Sequence, residues 1–208
     1  MVLQTAIWDF DGTLADTYTG ILKSLQQTFY DFDYPQPDMQ QVYRFIKLHS
    51  VKSYLQKLEL SPDFDEVYQH FQNIDHQNQT HMHLVAGAAQ TLQAIVAQGG
   101  HNFLWTHRDD LAIKLLTKQQ VQLYFTRIIT STSAFARKPD PAALNYLVQN
   151  YNLNRAATAM IGDRSLDVQA GQNAQLTTIY FDVDQLHDAP NADYVVQDLT
   201  QIIPLFTH

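Results

Sequence analysis

The 208-residue chain contains no cysteine. A disulfide framework, a thiolate nucleophile and a zinc–thiolate site are therefore excluded. It also lacks any basic run. Lys and Arg number 13 against 21 Asp and Glu, for a net charge of −8. That sign is poorly suited to nucleic acid or an anionic membrane surface as the main partner. No apolar run approaches the length of a membrane span, and the first residues show no charged segment leading into an apolar one. A cytoplasmic protein is the expectation. What is present is ordinary for a globular fold. The hydrophobic fraction is 45%, enough for one domain, or for one domain that carries a smaller insert.

Near the start, Thr5-Ala6-Ile7 is a β-prone apolar run too short for a helix. It leads into Trp8-Asp9-Phe10-Asp11-Gly12-Thr13-Leu14, where Gly12 allows a sharp turn out of a strand. The side-chain period of a strand is two, so Asp9 and Asp11 can point the same way at its carboxyl end. Like charges that close repel unless a cation or a shared proton lies between them. This is the layout of metal-assisted phosphoryl transfer, although Asp-x-Asp-Gly by itself also reads as a turn.

From about Asp16 to His83 the pattern is helical. Ile21, Leu22, Leu25 and Phe29 share one face, and Val42, Phe45, Ile46, Val51, Tyr54, Leu55 and Leu58 continue the spacing. Asp33-Tyr34-Pro35-Gln36-Pro37 separates the first two helices. Ser61-Pro62 reads as a cap with Pro in the first helical position, opening a helix whose stripe is Phe64, Val67, Tyr68, Phe71 and Ile74. After Leu84, strands and helices alternate. The strands are Asn102 to Thr106, Arg127 to Thr130, Ala157 to Gly162, Leu176 to Phe181 and Tyr194 to Val196. The helices are Ala88 to Gln98, Asp109 to about Gln119, Pro141 to Tyr151 and Leu166 to Ala174. Alternation of this kind predicts an α/β fold, a parallel sheet with helices on both faces, whose ligands sit at the carboxyl ends of the strands.

Those ends carry polar groups suited to phosphate. Thr106-His107 offers a hydroxyl and turn N–H groups. Lys138, in Arg137-Lys138-Pro139, is a compact positive charge ahead of a helix start. Gly162-Asp163-Arg164-Ser165-Leu166-Asp167 is an acidic turn, and hard carboxylate oxygens suit Mg²⁺. Singly, Thr106 also reads as a cap, Lys138 as a surface lysine, and Asp163 and Asp167 as helix-start acids. Together, chance placement at successive strand ends is the poorer account.

The order Asp9-x-Asp11-Gly12-Thr13, Thr106, Lys138-Pro139 and Gly162-Asp163-x-x-x-Asp167 resembles the four motifs of the haloacid dehalogenase-like (HAD) hydrolase superfamily. The likeness spans nearly the whole chain. The helical insert is similar to the cap of the phosphoglycolate phosphatase and β-phosphoglucomutase branch. The resemblance implies a Rossmann-like core at 1–14 and 84–208, with a helical cap at 15–83. It implies that Asp9 is the nucleophile and Asp11 the general acid/base. Thr106 and the N–H groups after it, His107 included, would hold phosphoryl oxygens, with Lys138 neutralising their charge. Mg²⁺ would be held by Asp9, the Asp11 backbone carbonyl and Asp163, with Asp167 acting through water or orienting the metal shell.

Two departures stand out. Arg137 occupies a position where Gly is common in the branch, and His107-Arg108 stands where Asn is common. Arg108 and Arg137 are candidates for a substrate carboxylate, though plain surface residues would read the same way.

Other signals are weaker. His70, His76, His81 and His83 are close in sequence but read as solvated polar residues. Asp182-Val183-Asp184 lacks the Gly-Thr that would make it a second motif. Phe29, Tyr30, Phe32 and Tyr34 are expected in the cap core.

The expected function is a Mg²⁺-dependent phosphatase for a small phosphorylated metabolite, acting as a monomer or homodimer without nucleic acid or membrane. A β-phosphoglucomutase-type mutase would use the same Asp9 and Asp11. A non-catalytic binding module is the further alternative.

Overall fold

The computed structural model describes residues 2–58, 64–78 and 82–206; Ser61-Pro62 and His81 lie outside them. In chain order the elements begin with β1 (Thr5–Trp8), β2 (Ala15–Asp16), α1 (Tyr18–Asp31), α2 (Met39–Leu48), α3 (Val51–Lys57) and α4 (Phe64–Asn78). Then come β3 (His83–Leu84), α5 (Ala88–Ala97), β4 (His101–Trp105), α6 (Leu111–Lys118), β5 (Phe125–Ile129) and α7 (Ala142–Asn150). The chain ends with β6 (Thr158–Gly162), α8 (Ser165–Asn173), β7 (Thr177–Phe181), β8 (Tyr194–Val196) and a 3-10 segment, Leu199–Phe206. Two compact units result. One comprises Met1–Ala15 with His83–His208, the other Asp16–Met82.

The larger unit is built on a six-stranded sheet in the order β5-β4-β1-β6-β7-β8. Every pairing in it is parallel. The chain lays β4 and then β5 on one side of β1, and later crosses to lay β6, β7 and β8 on the other. The carboxyl end of β1 therefore stands where the strand order reverses, the place at which such sheets open a crevice for ligands. All four residues of β1 are buried, as expected of a strand covered on both faces. Ile7 packs with Phe103, Trp105, Leu144, Leu147 and Met160 in one apolar cluster.

Sequence and structure agree on every strand of this sheet to within a residue or two at the ends, where element boundaries are least defined. The closing 3-10 segment has no counterpart in the sequence reading. Its Leu199, Ile202 and Phe206 are buried, and Leu3 N–H donates to Leu205 O at 2.9 Å.

Among its described residues, the smaller unit is built from α1 to α4. Its core gathers Leu25, Phe29, Val42, Ile46, Leu55 and Val67, one stripe from each helix as the spacing requires. Asp38 caps α2 by accepting the Gln40 N–H at 2.8 Å, which explains why the helix restarts directly after Pro37. Tyr30, expected in this core, is 73% exposed. It follows the buried Phe29, and one residue along a helix is a rotation of about 100°, off the apolar stripe. Phe32 and Tyr34 are partly buried and stacked on one another. His70 pairs with Asp31 at 2.7 Å. His76 and, in the larger unit, His83 are exposed.

One polar group is buried in the heart of the sheet. Asn102, on β4, accepts from the Trp8 indole at 2.9 Å and donates to Leu92 O and Tyr124 O at 3.0 and 3.3 Å. All of its amide's strong partners lie in protein, so truncation leaves the Trp8 N–H and two carbonyls short. We expect Asn102→Ala to lower the urea-unfolding free energy by about 2–4 kcal/mol, whereas a change below about 0.5 kcal/mol, the level of a neutral surface site, would contradict this account.

Candidate active site

The site begins where β1 stops. Trp8 is the last strand residue, but Asp9 N–H still donates to Ile161 O at 2.8 Å, so Asp9 stays in register with β6 and is buried. The chain then folds back on itself. The N–H groups of Leu14 and Ala15 both reach Phe10 O at 3.0 Å, and Gly12 takes φ 80°, a left-handed value that favours glycine. Thr13, fixed by this turn, is completely buried and its hydroxyl donates to Asp163 Oδ1 at 3.3 Å.

Asp163 and Asp167 come from the end of β6 and the first turn of α8. Asp167 Oδ2 accepts the Arg164 N–H at 3.2 Å, and from the loop after β7 Asp188 accepts the Ser165 N–H at 2.8 Å. Acidic groups at these backbone donors are favoured by the helix dipole. Gly162 is required by proximity. A Cβ placed there would lie 2.3 Å from both Cβ and Cγ of Asp167, so any side chain would push the carboxylate away.

Lys138 closes the cluster. Its side chain is 1% exposed, and Nζ contacts Asp9 Oδ1 and stands 2.8 Å from Asp167 Oδ1. The second contact is a close ion pair whose oxygen lies off the hydrogen-bonding direction. Oxygens of Asp9, Asp163 and Asp167 lie within 4.8 Å of one another. Lys138 thus pairs with two of three buried carboxylates. Burial pushes the Asp9 carboxyl up to about 7, and the Asp167 and Asp11 charges add to this against the pull of Lys138. Burial raises Asp167 as well. It would lower Lys138, but the adjacent Asp167 and Asp9 outweigh it and hold the ammonium above its ordinary range. The donors of this site are all hard oxygens in a tight group, a set that fits Mg²⁺.

Asp11 departs from the simplest reading of the motif. The strand ends before it, so its side chain does not join the cluster of Asp9, Asp163 and Asp167. It accepts instead from Arg108 Nε at 2.6 Å. Each acid of the Asp-x-Asp pair therefore has its own cation, Lys138 for Asp9 and Arg108 for Asp11. Arg108, considered above for a substrate carboxylate, has a side chain only 10% exposed and directs Nε at Asp11. Arg137 is exposed and sits just outside the cluster.

Thr106 is buried. Its Oγ1 accepts the Arg108 N–H at 3.0 Å, which occupies a lone pair and not the hydroxyl proton. The His107 ring is engaged elsewhere in the site, its Nε2 accepting the Lys138 N–H at 2.9 Å. Burial, with the charges of Lys138, Arg137 and Arg164, brings its imidazole down to about 3. Sequence reasoning missed Trp105, whose ring lies 5.1 Å beneath Lys138 Nζ. It reads as a core aromatic, and nothing in its spacing marks it as a cation partner.

Residues 6–181 match the family model described as haloacid dehalogenase-like hydrolase. The chain is similar to a phosphoglycolate phosphatase of Aliivibrio fischeri, with 25% identity over 92% of this chain and 89% of the relative. It is also similar to the pyrophosphatase PpaX of Bacillus mycoides, 24% identical over 100% of this chain and 98% of that one. Among solved structures, a hydrolase from Streptococcus pneumoniae shares 32% identity and a TM-score of 0.67, over 86% of this chain and 92% of that one.

The electrostatics give a sign for metal binding. With Asp9 raised from its ordinary 3.8 to about 7, the native state holds an extra proton between those values. Without metal, stability is therefore lost as pH rises through that window. Mg²⁺ must displace the proton, so its stabilising effect grows with pH. We expect the Mg²⁺-induced rise in Tm to be small near pH 5 and larger near pH 8, and to disappear in Asp163→Asn. A shift independent of pH, or retained in that variant, would count against this donor set.

Proposed function

The chain belongs to the haloacid dehalogenase-like hydrolase family, and from that footing we propose that it is a Mg²⁺-dependent phosphatase acting on a small phosphomonoester through an aspartyl-phosphate on Asp9. One observation carries the reading. A carboxylate at the end of the central strand is buried against an ammonium and two further carboxylates, all at the crevice of a parallel sheet.

In the proposed reaction a carboxylate oxygen of Asp9 attacks phosphorus. The bond to the leaving oxygen breaks, and Asp11 gives that oxygen a proton. Asp11, now a carboxylate, then takes a proton from water. The water oxygen attacks phosphorus, freeing Asp9 and inorganic phosphate. Lys138 and the Thr106 hydroxyl hold the phosphoryl oxygens as their charge redistributes. Asp9, Asp163 and Asp167, with the Asp11 backbone carbonyl, would hold Mg²⁺. Bound there, it supplies positive charge against the phosphoryl oxygens and keeps Asp9 ionised at neutral pH. Arg108 holds Asp11 by one oxygen in the phosphate-free state, which orients the carboxyl before substrate enters.

We assign substrate selection to the helical unit, as a cap. The relatives' names order the substrate panel. Phosphoglycolate comes first, and inorganic pyrophosphate is added by the likeness to pyrophosphatase PpaX.

Release of p-nitrophenol from p-nitrophenyl phosphate tests the chemistry. Turnover is expected to need Mg²⁺, to stop with chelator and to vanish in Asp9→Asn. In Asp11→Asn, kcat should fall by about 10²–10⁴-fold, the usual worth of a general acid/base. Activity that survives Asp9→Asn, or that ignores chelator, would overturn the proposal.

A further inference from the structure

Lys138 has to hold its charge at one point, yet it sits in a poor place to do so. The residues from Ser131 to Pro141 form no helix or strand, and most of them are exposed. A lysine also has a long flexible stem, costly to fix in one rotamer. Something outside this loop must define where the side chain begins.

The end of β4 does so at two points. The Trp105 ring lies under the ammonium at 5.1 Å, and the His107 imidazole takes the backbone N–H of Lys138 on Nε2 at 2.9 Å. The His107 ring is in turn set edge-on against Trp105, with centroids 6.1 Å apart. On these observations we infer that His107 is a positioning residue for Lys138: its Nε2 fixes the main chain at the lysine and thereby sets where the ammonium meets Asp9 and Asp167.

The imidazole suits this task in its neutral form, in which one ring nitrogen is an acceptor. With Nε2 accepting, the ring proton is on Nδ1. Burial and the surrounding cations keep the ring neutral far below physiological pH, so the acceptor is constant. Arg137 and Arg164 thus help to preserve a hydrogen bond inside the site.

The consequence for turnover rests on the phosphatase reading; the hydrogen bond itself does not. Two variants separate acceptor from shape. His107→Gln places an amide oxygen near the position of Nε2, whereas His107→Phe keeps a ring against Trp105 without an acceptor. In the Phe variant kcat should fall by up to about 10²-fold, the loss that accompanies a misplacement of about 1 Å. It should fall further than KM rises, and the Gln variant should recover most of it. A Phe variant with wild-type kcat, or a Gln variant as slow as Phe, would overturn the inference. Should the wild type turn over no phosphate ester, the phosphatase reading fails, and long-range ¹H–¹⁵N spectra of the unmutated protein decide this one. The same spectra decide it if the Phe variant does not fold. His107 must appear as the neutral Nδ1–H tautomer at neutral pH; an Nε2–H tautomer or a charged ring would overturn it.

Discussion

The contact on which the rest depends is the one between the Lys138 ammonium and the carboxylates of Asp9 and Asp167. Three acids gathered in a buried space repel, and burial alone favours their neutral forms. The Lys138 ammonium, held against two of them, makes the arrangement tolerable. Breaking such a pair from one side leaves an unpaired buried charge, which costs about 3–5 kcal/mol in comparable cases. The site is therefore committed to its lysine even before any ligand arrives.

Much of this was legible in the amino-acid order. Alternating strands and helices specify a parallel sheet, and polar residues at successive strand ends mark the crevice, because apolar strands leave little other reason for an acid or lysine there. Asp9, Thr106, Lys138, Asp163 and Asp167 were found in this way, and the structure buries all five. Local pattern could not show what depends on contacts between distant segments. Arg108 and Asp11 are 97 positions apart, and Lys138 and His107 are 31 apart. Asp11 itself shows the limit of periodicity. A period of two holds only while the chain remains a strand, and β1 ends at Trp8.

The segment Trp105-Thr106-His107-Arg108 repays attention as a unit. Trp105 lies beneath the lysine, Thr106 accepts the Arg108 N–H, the His107 ring accepts the lysine's backbone N–H, and Arg108 reaches Asp11. His107 and Arg108, which together read as one departure from the branch's usual residues, tie neighbouring loops together; Arg137, the other departure, is exposed.

The position of β1 also bears on how the protein is made. Thr5 pairs with His101 on one side and with Thr158 on the other, so β1 is completed by a strand that emerges some 150 positions later. Contacts so remote in sequence are slow to form, and during translation they leave a buried-type strand with an open edge. A nascent chain that stops short of β6 has Asp9 but neither Asp163 nor Asp167 beside it, and presents one edge of β1 unpaired. The acidic cluster thus also marks a stage of folding: it exists only once the crossover from β5 to β6 has been made and α8 has begun.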